Sequence, residues 1–389
     1  MRIAIFTEVF LPKIDGITNR LSHTVRCLVE QDHEVLIFAP AHAIAEHCGA
    51  RVVRVPGIPF PAYPELRVSA PDPRIAWELS RFDPDVVHAV GPVCLGLWGL
   101  AAAAAQGRPS VASYHTDLPR YAPLHGLGWA QGAIWPLVRA VHGRATINLA
   151  PSTATRRELE AHGIEDVGIW RGAVDTDLFH PGRRSIDMRV ELSGGCPDGP
   201  VLLYVGRVSP EKNLRLLGDA LDAVPGTRLA IVGDGPARPA LERSFAHQPV
   251  TFLGFLRGEE LARAYASADV FVMPSTTETL GFAVLEAMSS GCPVVAARAG
   301  GIPDLVENSQ TGMLFDPETP EQAFEQIQEL IERPCVARFY ARQGRKAAEG
   351  SSWASETERL VDAYRRALAV HQPYGALGRV GRLGQTLLG

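Results

Sequence analysis

Short runs of aliphatic and β-branched residues alternate with helix-length segments along the first half of the chain. The runs are Arg2–Phe6, Glu34–Ala39, Arg51–Val55, Val86–Val90, Ser110–Tyr114 and Thr146–Ala150. Most are near-continuous Val, Ile, Leu and Ala with little polar alternation, the pattern of parallel strands covered on both faces. Strands of that kind separated by helices predict a doubly wound α/β unit. The pattern restarts at Val201, with Val201–Val205, Arg228–Val232, Val250–Leu253, Val270–Met273 and Pro293–Ala296, and predicts a second such unit. Val174–Pro200 is rich in Gly, Pro, Asp and Arg and weakly periodic, so it reads as the linker. The expected division is residues 1–180, residues 198–360 and a helix end with tail at 361–389, with a cleft between the two halves.

The longest apolar run, Val90 to Ala105, is broken by Gly91, Pro92, Gly96 and Gly99. It falls short of the roughly 20 residues a membrane-crossing helix needs and predicts a buried helix instead. The start of the chain turns acidic at Glu8 before an apolar stretch of leader length and reads as a first strand. The end, Tyr374 to Gly389, carries five glycines and two arginines and is expected to be loosely attached.

Composition narrows the classes. The 389 residues suit two domains at about 150 residues each. Apolar residues at 46% and charged residues at 21% are globular values. The net charge of −5 lies in the second half, the first 171 residues being neutral, and nucleic acid is not an expected partner. Six scattered cysteines form no CxxC pair and suit free thiols in a reducing cytoplasm. Lysine occurs only at Lys13, Lys212 and Lys346, against 35 arginines.

Candidate chemistry gathers after strand ends. Glu278-Thr-Leu-Gly-Phe-Ala-Val-Leu-Glu286 follows the strand Val270–Met273. On a single helix the two glutamates would lie roughly 12 Å apart with similar facing and grip two ends of one ligand. Gly281 and Phe282 stand where a helix would begin, so their N–H groups suit an anion such as a diphosphate. Solvated glutamates and a plain turn account for the spacing equally well. Gly206-Arg207-Val208-Ser209-Pro210-Glu211-Lys212 follows Val201–Val205 and sets two cations at the sheet edge where α/β ligands bind. They suit charge on a leaving phosphate, with surface salt bridging as the plain alternative. Gly233-Asp234-Gly235-Pro236 is by itself a turn, and without a GxGxxG a nicotinamide cofactor is unsupported. In the first half, Pro12-Lys13-Ile14-Asp15-Gly16 follows the first strand, and Gly16 allows close backbone approach to a ligand. His115 and Asp117 end another strand at the same edge and His88 the one before. Each histidine is either a site group or a satisfied polar residue.

Together these motifs resemble the retaining nucleotide-sugar glycosyltransferases of family 4, which have the GT-B fold of two Rossmann-like doubly wound domains facing across a cleft. The resemblance covers nearly the whole chain, because the Glu278–Glu286 segment, Gly206 to Lys212, Val232-Gly233-Asp234-Gly235-Pro236 and Ala296 to Asp304 occur in the expected order. It implies that Glu286 holds the donor ribose, Glu278 the sugar hydroxyls, and Arg207 and Lys212 the diphosphate. It also implies backbone donors at Gly281 and Phe282, with Leu280 beside them, a donor-side loop at Asp15 and Gly16, His115 near the transferred sugar and Leu256 near the base. Within the family, the motifs look most like those of the sulfoquinovosyltransferases that make sulfoquinovosyl diacylglycerol. Phe6 to Ile17, Ser152-Thr153-Ala154, Val174 to Phe179 and Thr277 to Gly281 carry this likeness. Trp170-Arg171-Gly172-Ala173-Val174-Asp175 departs from the Arg-Gly-Val-Asp expected there.

The implied reaction moves an α-linked sugar with retention, by front-side attack, from a nucleoside diphosphate to a lipid hydroxyl. No metal or other cofactor is expected, since no Asp-x-Asp occurs in the cleft segments and the two cations with the helix start supply positive charge. The implied partners are UDP-sulfoquinovose, with Lys13 nominated for its sulfonate, and diacylglycerol. The implied location is the cytoplasm, peripheral at the inner face of a membrane. Leu118 to Trp135, rich in Tyr, Leu and Trp, is the candidate interfacial segment, with core packing as the alternative. Transfer from GDP-mannose or UDP-glucose, a nucleotide-sugar 2-epimerase and a sugar-binding protein are the competing readings.

Overall fold

The structure is a computed structural model that describes residues 1–13, 15–60, 63–69, 72–115 and 131–371. Asp117, most of the candidate interfacial segment and the glycine-rich end lie outside the described residues. The chain divides into two compact units, one of Met1–Pro151, Arg156–Trp170 and the chain from Thr357, the other of Ser152–Thr155 and Arg171–Glu356.

The first unit holds strands β1 (Arg2–Thr7), β2 (Glu34–Pro40), β3 (Glu46–His47), β4 (Ala50–Val55), β7 (Val86–Val90), β8 (Ser110–Ser113), β9 (Ile147–Ala150) and β10 (Val167–Ile169). They form one sheet in the order β10-β9-β8-β7-β1-β2-β4-β3. All pairings are parallel except β3 with β4. A separate antiparallel hairpin joins β5 (Ile58–Phe60) and β6 (Tyr63–Val68). The apolar runs become fully buried strands: all five residues of β7 are buried, and so are the last five of β1. Leu95–Ala105 is the buried helix expected from the apolar run, with Leu95, Gly96, Gly99, Leu100, Ala102 and Ala103 inside. It lies so close to β1 that a Cβ at Gly99 would stand 2.4 Å from the Phe6 ring. Among the described residues no helix is long and apolar enough to cross a membrane.

The second unit holds β11 (Val201–Val205), β12 (Arg228–Val232), β13 (Val250–Gly254), β14 (Val270–Met273), β15 (Val294–Ala297) and β16 (Met313–Phe315). Its sheet is parallel throughout in the order β13-β12-β11-β14-β15-β16. Chain order reverses between β11 and β14, which makes the crevice beyond their carboxyl ends the topological switch point.

Two expectations change. The segment read as a linker is part of the second unit: Phe179, Met188 and Leu192 are buried in its core, and Ile186–Leu192 is a helix capped by Ser185 Oγ. Its polar composition has a local use, for Arg189 bonds the carbonyls of Pro197, Ser267 and Gly199 and pairs with Asp269 at 2.6 Å. The last helix, Trp353–Val370, is not an appendage of the second unit. Its Leu360, Val361, Tyr364 and Ala367 are buried in the first unit's core with Ile3, Val25 and Trp170. Helical periodicity shows that such a face is buried but not which core receives it.

Gly99→Val places a branched side chain against the fully buried Phe6 and is expected to lower stability by about 1–3 kcal/mol, the usual cost of overpacking. Gly132→Ala, on an exposed helical position with nothing within 4 Å of the new Cβ, is expected to raise it slightly. Denaturant midpoints at unchanged slope check both.

Candidate functional site

In the second unit, Arg207 and Lys212 follow β11 and Glu278 follows β14, so the switch point collects the cations and one of the acids. Lys212 ends the short 3-10 turn Pro210–Lys212, and its Nζ lies 2.5 Å from Glu278 Oε1. Both side chains are mostly buried, at 14% and 19% exposure. The family resemblance implies phosphate at Lys212 and sugar at Glu278; in the structure each is the other's counter-charge. Arg207 is exposed, and its backbone carbonyl accepts the Tyr204 hydroxyl at 3.0 Å.

Two neighbouring loops fix these positions. The Gly233-Asp234-Gly235 turn packs on the Arg207 loop, where Val208 N–H donates to the Asp234 carbonyl at 3.0 Å and a Cβ at Gly233 would stand 2.0 Å from the Gly206 carbonyl oxygen. The turn is thus a brace for the cation loop. On the other side, Gly301 N–H donates to the Glu278 carbonyl at 2.8 Å, and a Cβ at Gly300 would stand 2.1 Å from that same oxygen. No other residue fits there.

The two glutamates do not share a helix, which corrects the expected spacing along one axis. Gly281 sits at φ +61° as the N-cap, so the helix begins only at Phe282 and runs to Ser289, carrying Glu286 while Glu278 stays on the preceding loop. A side chain at Gly281 would be strained at that φ and would press on Leu305 and Ile302. No side chain caps this helix start, so its first-turn N–H groups and positive dipole end are not occupied by a cap. Leu280 beside it is buried, and Phe282 packs its ring 5.9 Å from that of Trp353.

Glu286 Oε2 accepts a 2.8 Å hydrogen bond from the hydroxyl of Tyr265, a buried residue the sequence reading missed because nothing in its spacing links it to Glu286. Burial raises the Glu286 carboxyl to about 7, against the lowering effect of that bond. A half-protonated carboxyl near neutrality both accepts and donates, which suits the hydroxyls of a ribose. Leu256, after β13, is partly buried against the second core.

In the first unit, Asp15 is the N-cap of the helix Gly16–Glu30. Its Oδ1 accepts Thr18 N–H at 2.8 Å and its Oδ2 lies 3.3 Å from Lys13 Nζ. Lys13, nominated for a sulfonate, therefore has a carboxylate beside it, and Gly16 is the exposed first residue of the helix. His115 is buried, with Nε2 2.8 Å from Ser113 Oγ and, among the described residues, no partner at Nδ1. His88 bonds Ser113 Oγ and the Tyr364 hydroxyl. Burial, reinforced by the Arg20 charge, lowers His88 to about 3 and His115 well below its ordinary value, so both rings are neutral. Of the candidate interfacial segment, residues 131–135 are described; Ile134 and Trp135 pack against a first-unit cluster, with the Trp135 ring stacked 3.5 Å from that of His162. That part follows the core-packing alternative.

The chain matches the family model for glycosyl transferases group 1 over residues 199–333 and that for glycosyltransferase family 4 over residues 14–178. It is 39% identical to the sulfoquinovosyl transferase SQD2 of Arabidopsis thaliana, over 92% of this chain and 72% of that protein. It is 40% identical to a GDP-mannose-dependent alpha-mannosyltransferase of Mycolicibacterium smegmatis, over 95% of this chain and 98% of that protein. Sucrose-phosphate synthase from Thermosynechococcus elongatus has the same fold, with a TM-score of 0.77 at 20% identity over 95% of this chain and 99% of that one. None of these relatives speaks for the epimerase reading. With both of its α/β units matched and its switch point bearing the two cations and Glu278, the chain belongs to the family 4 glycosyltransferases of GT-B fold.

Proposed function

We propose that the protein transfers sulfoquinovose, with retention, from UDP-sulfoquinovose to the hydroxyl of diacylglycerol at a membrane surface. The observation that carries the transferase chemistry is the Lys212–Glu278 pair at the second sheet's switch point, next to an uncapped helix start. In the proposed complex the donor diphosphate takes Glu278's place at Lys212 and is held further by Arg207 and the Gly281 and Phe282 N–H groups. The freed Glu278 accepts a sugar hydroxyl, Glu286 holds the ribose, Leu256 borders the base and His115 is offered to the transferred sugar. As the sugar–phosphate bond breaks, these positive groups stabilise charge on the leaving diphosphate, and a phosphate oxygen takes the acceptor's proton. The chain itself thus supplies the charge stabilisation.

Sulfoquinovose is favoured by the likeness to the plant enzyme across 92% of this chain. A second reading, mannosyl transfer from GDP-mannose, is favoured by the equally similar mycobacterial protein, matched along 98% of its length. Incubating the purified protein with diacylglycerol vesicles and, separately, UDP-sulfoquinovose, UDP-glucose and GDP-mannose decides between them by product mass. The expected product is sulfoquinovosyl diacylglycerol; a mannosylated lipid alone would establish the second reading.

Lys212→Ala is expected to lower kcat by about 100-fold or more, the scale of losing one preorganised charge at a leaving group. Turnover close to wild type would remove Lys212 from this role. Because an ionised Glu286 is the stronger acceptor and burial holds its carboxyl at about 7, donor binding should tighten as pH rises through 7. The donor KM of the wild type should therefore fall across that range, while that of Glu286→Gln stays flat.

A further inference from the structure

Four side chains of the first unit form one hydrogen-bonded line. The Tyr364 hydroxyl lies 2.8 Å from His88 Nδ1, His88 Nε2 lies 2.9 Å from Ser113 Oγ, and Ser113 Oγ lies 2.8 Å from His115 Nε2. All four residues are buried, and beyond His115 Nδ1 the line meets no further partner among the described residues. Each member carries one proton: the two hydroxyls by their chemistry, and the two imidazoles because burial keeps them neutral.

The line can run in either of two directions, and counting unpaired donors and acceptors together separates them. If Tyr364 donates to His88 Nδ1, then His88 donates from Nε2 to Ser113, and Ser113 donates to His115 Nε2. The proton of His115 is then on Nδ1. If the line runs the other way, His115 donates from Nε2, and His88 Nδ1 donates to Tyr364, whose own O–H is left buried with no acceptor among the described residues. The first direction leaves one buried group unpaired, the second leaves two. Each direction strands one buried donor, and the second strands the His115 Nδ1 acceptor as well; since every buried polar atom left without a hydrogen bond is costly, the first direction prevails.

We propose that Tyr364, with His88 and Ser113, is a positioning residue that fixes the tautomer of His115, so that His115 presents an Nδ1–H donor to bound substrate. The part of this proposal that concerns substrate rests on the transferase reading; the tautomer does not. Tyr364 belongs to the last helix of the chain, 276 residues from His88, which gives the return of that helix to the first unit a chemical consequence besides packing. A hydrogen-bonded neighbour that decides which imidazole nitrogen carries the proton decides whether the other face accepts or donates.

The test is long-range proton–nitrogen NMR on the full-length protein labelled with 15N-histidine, the His115 signals being assigned from a His115→Gln variant. The wild type should show His115 protonated on Nδ1 alone. Tyr364→Phe keeps the ring and removes the hydroxyl, so the two directions leave equal numbers of unpaired groups and His115 should become a tautomer mixture. The same variant should lower kcat several-fold at a donor KM near that of the wild type. An Nε2-protonated His115 in the wild type, a single unchanged tautomer in Tyr364→Phe, or an unchanged kcat would each overturn the proposal. Should Tyr364→Phe not fold, Ser113→Ala breaks the same line and is read in the same way. Because the spectra need neither donor nor acceptor, failure of the transferase reading would show as an inactive wild type with its tautomer still measurable.

Discussion

The contact on which the rest turns is the ion pair between Lys212 and Glu278. Neither charge is well solvated, so neither tolerates the loss of its partner. Removing one side of a buried pair costs about 3–5 kcal/mol because the other is stranded. Any ligand that opens this pair must therefore bring a negative group for the lysine and a hydrogen-bond donor for the carboxylate. A sugar nucleotide brings both in one molecule, phosphate oxygens at one end and sugar hydroxyls beside them. A bare anion supplies only the first and leaves Glu278 without its counter-charge. On the proposed reading, the pair thus acts as a selectivity device before any chemistry begins.

Holding two opposite charges on separate loops requires that neither loop wander, and the backbone does most of that work. Parallel strands β11 and β14 end side by side, so the loops leaving them start from fixed points. From there the Gly233 turn presses on one loop and Gly300 on the other, each at a separation no side chain would allow. Gly281 ends the second loop and starts the helix that carries Glu286. The carboxyl of Glu278 can then answer to a ligand while that of Glu286 is held by Tyr265, so two acids close in sequence have different surroundings.

Much of this was readable from residue order. Buried parallel strands are written as unbroken aliphatic runs, and the eleven runs picked out that way are strands in the structure. The short strands β3, β10 and β16 and the β5–β6 hairpin escaped, because two to six residues at a sheet edge or outside it carry no such run. At the site, Arg207, Lys212, Glu278 and Glu286 stood out by their place after strand ends. Their partners did not: the Lys212–Glu278 pair spans 66 positions and the Tyr265–Glu286 bond 21, distances over which spacing carries no information. Asp15 was legible only as part of a loop after the first strand; its place as a helix N-cap, its capping bond and its contact with Lys13 follow from side-chain geometry. The polar segment before β11 misled because composition marks a segment as irregular without marking it as unpacked.

The first unit holds a buried charge of its own. Arg20 is almost wholly buried, its guanidinium 3.5 Å above the Trp170 ring and donating to the Trp170 carbonyl at 2.7 Å. A guanidinium stays charged under all ordinary conditions and tolerates an aromatic face better than an ammonium does. Its charge adds to desolvation in keeping His88 and His115 unprotonated. A charged His115 would have a proton on both nitrogens, and the direction of the line from Tyr364 would then carry no information. Burial first, with the arginine's charge added to it, therefore keeps His115 a neutral hydrogen-bonding group whose tautomer the line from Tyr364 can define.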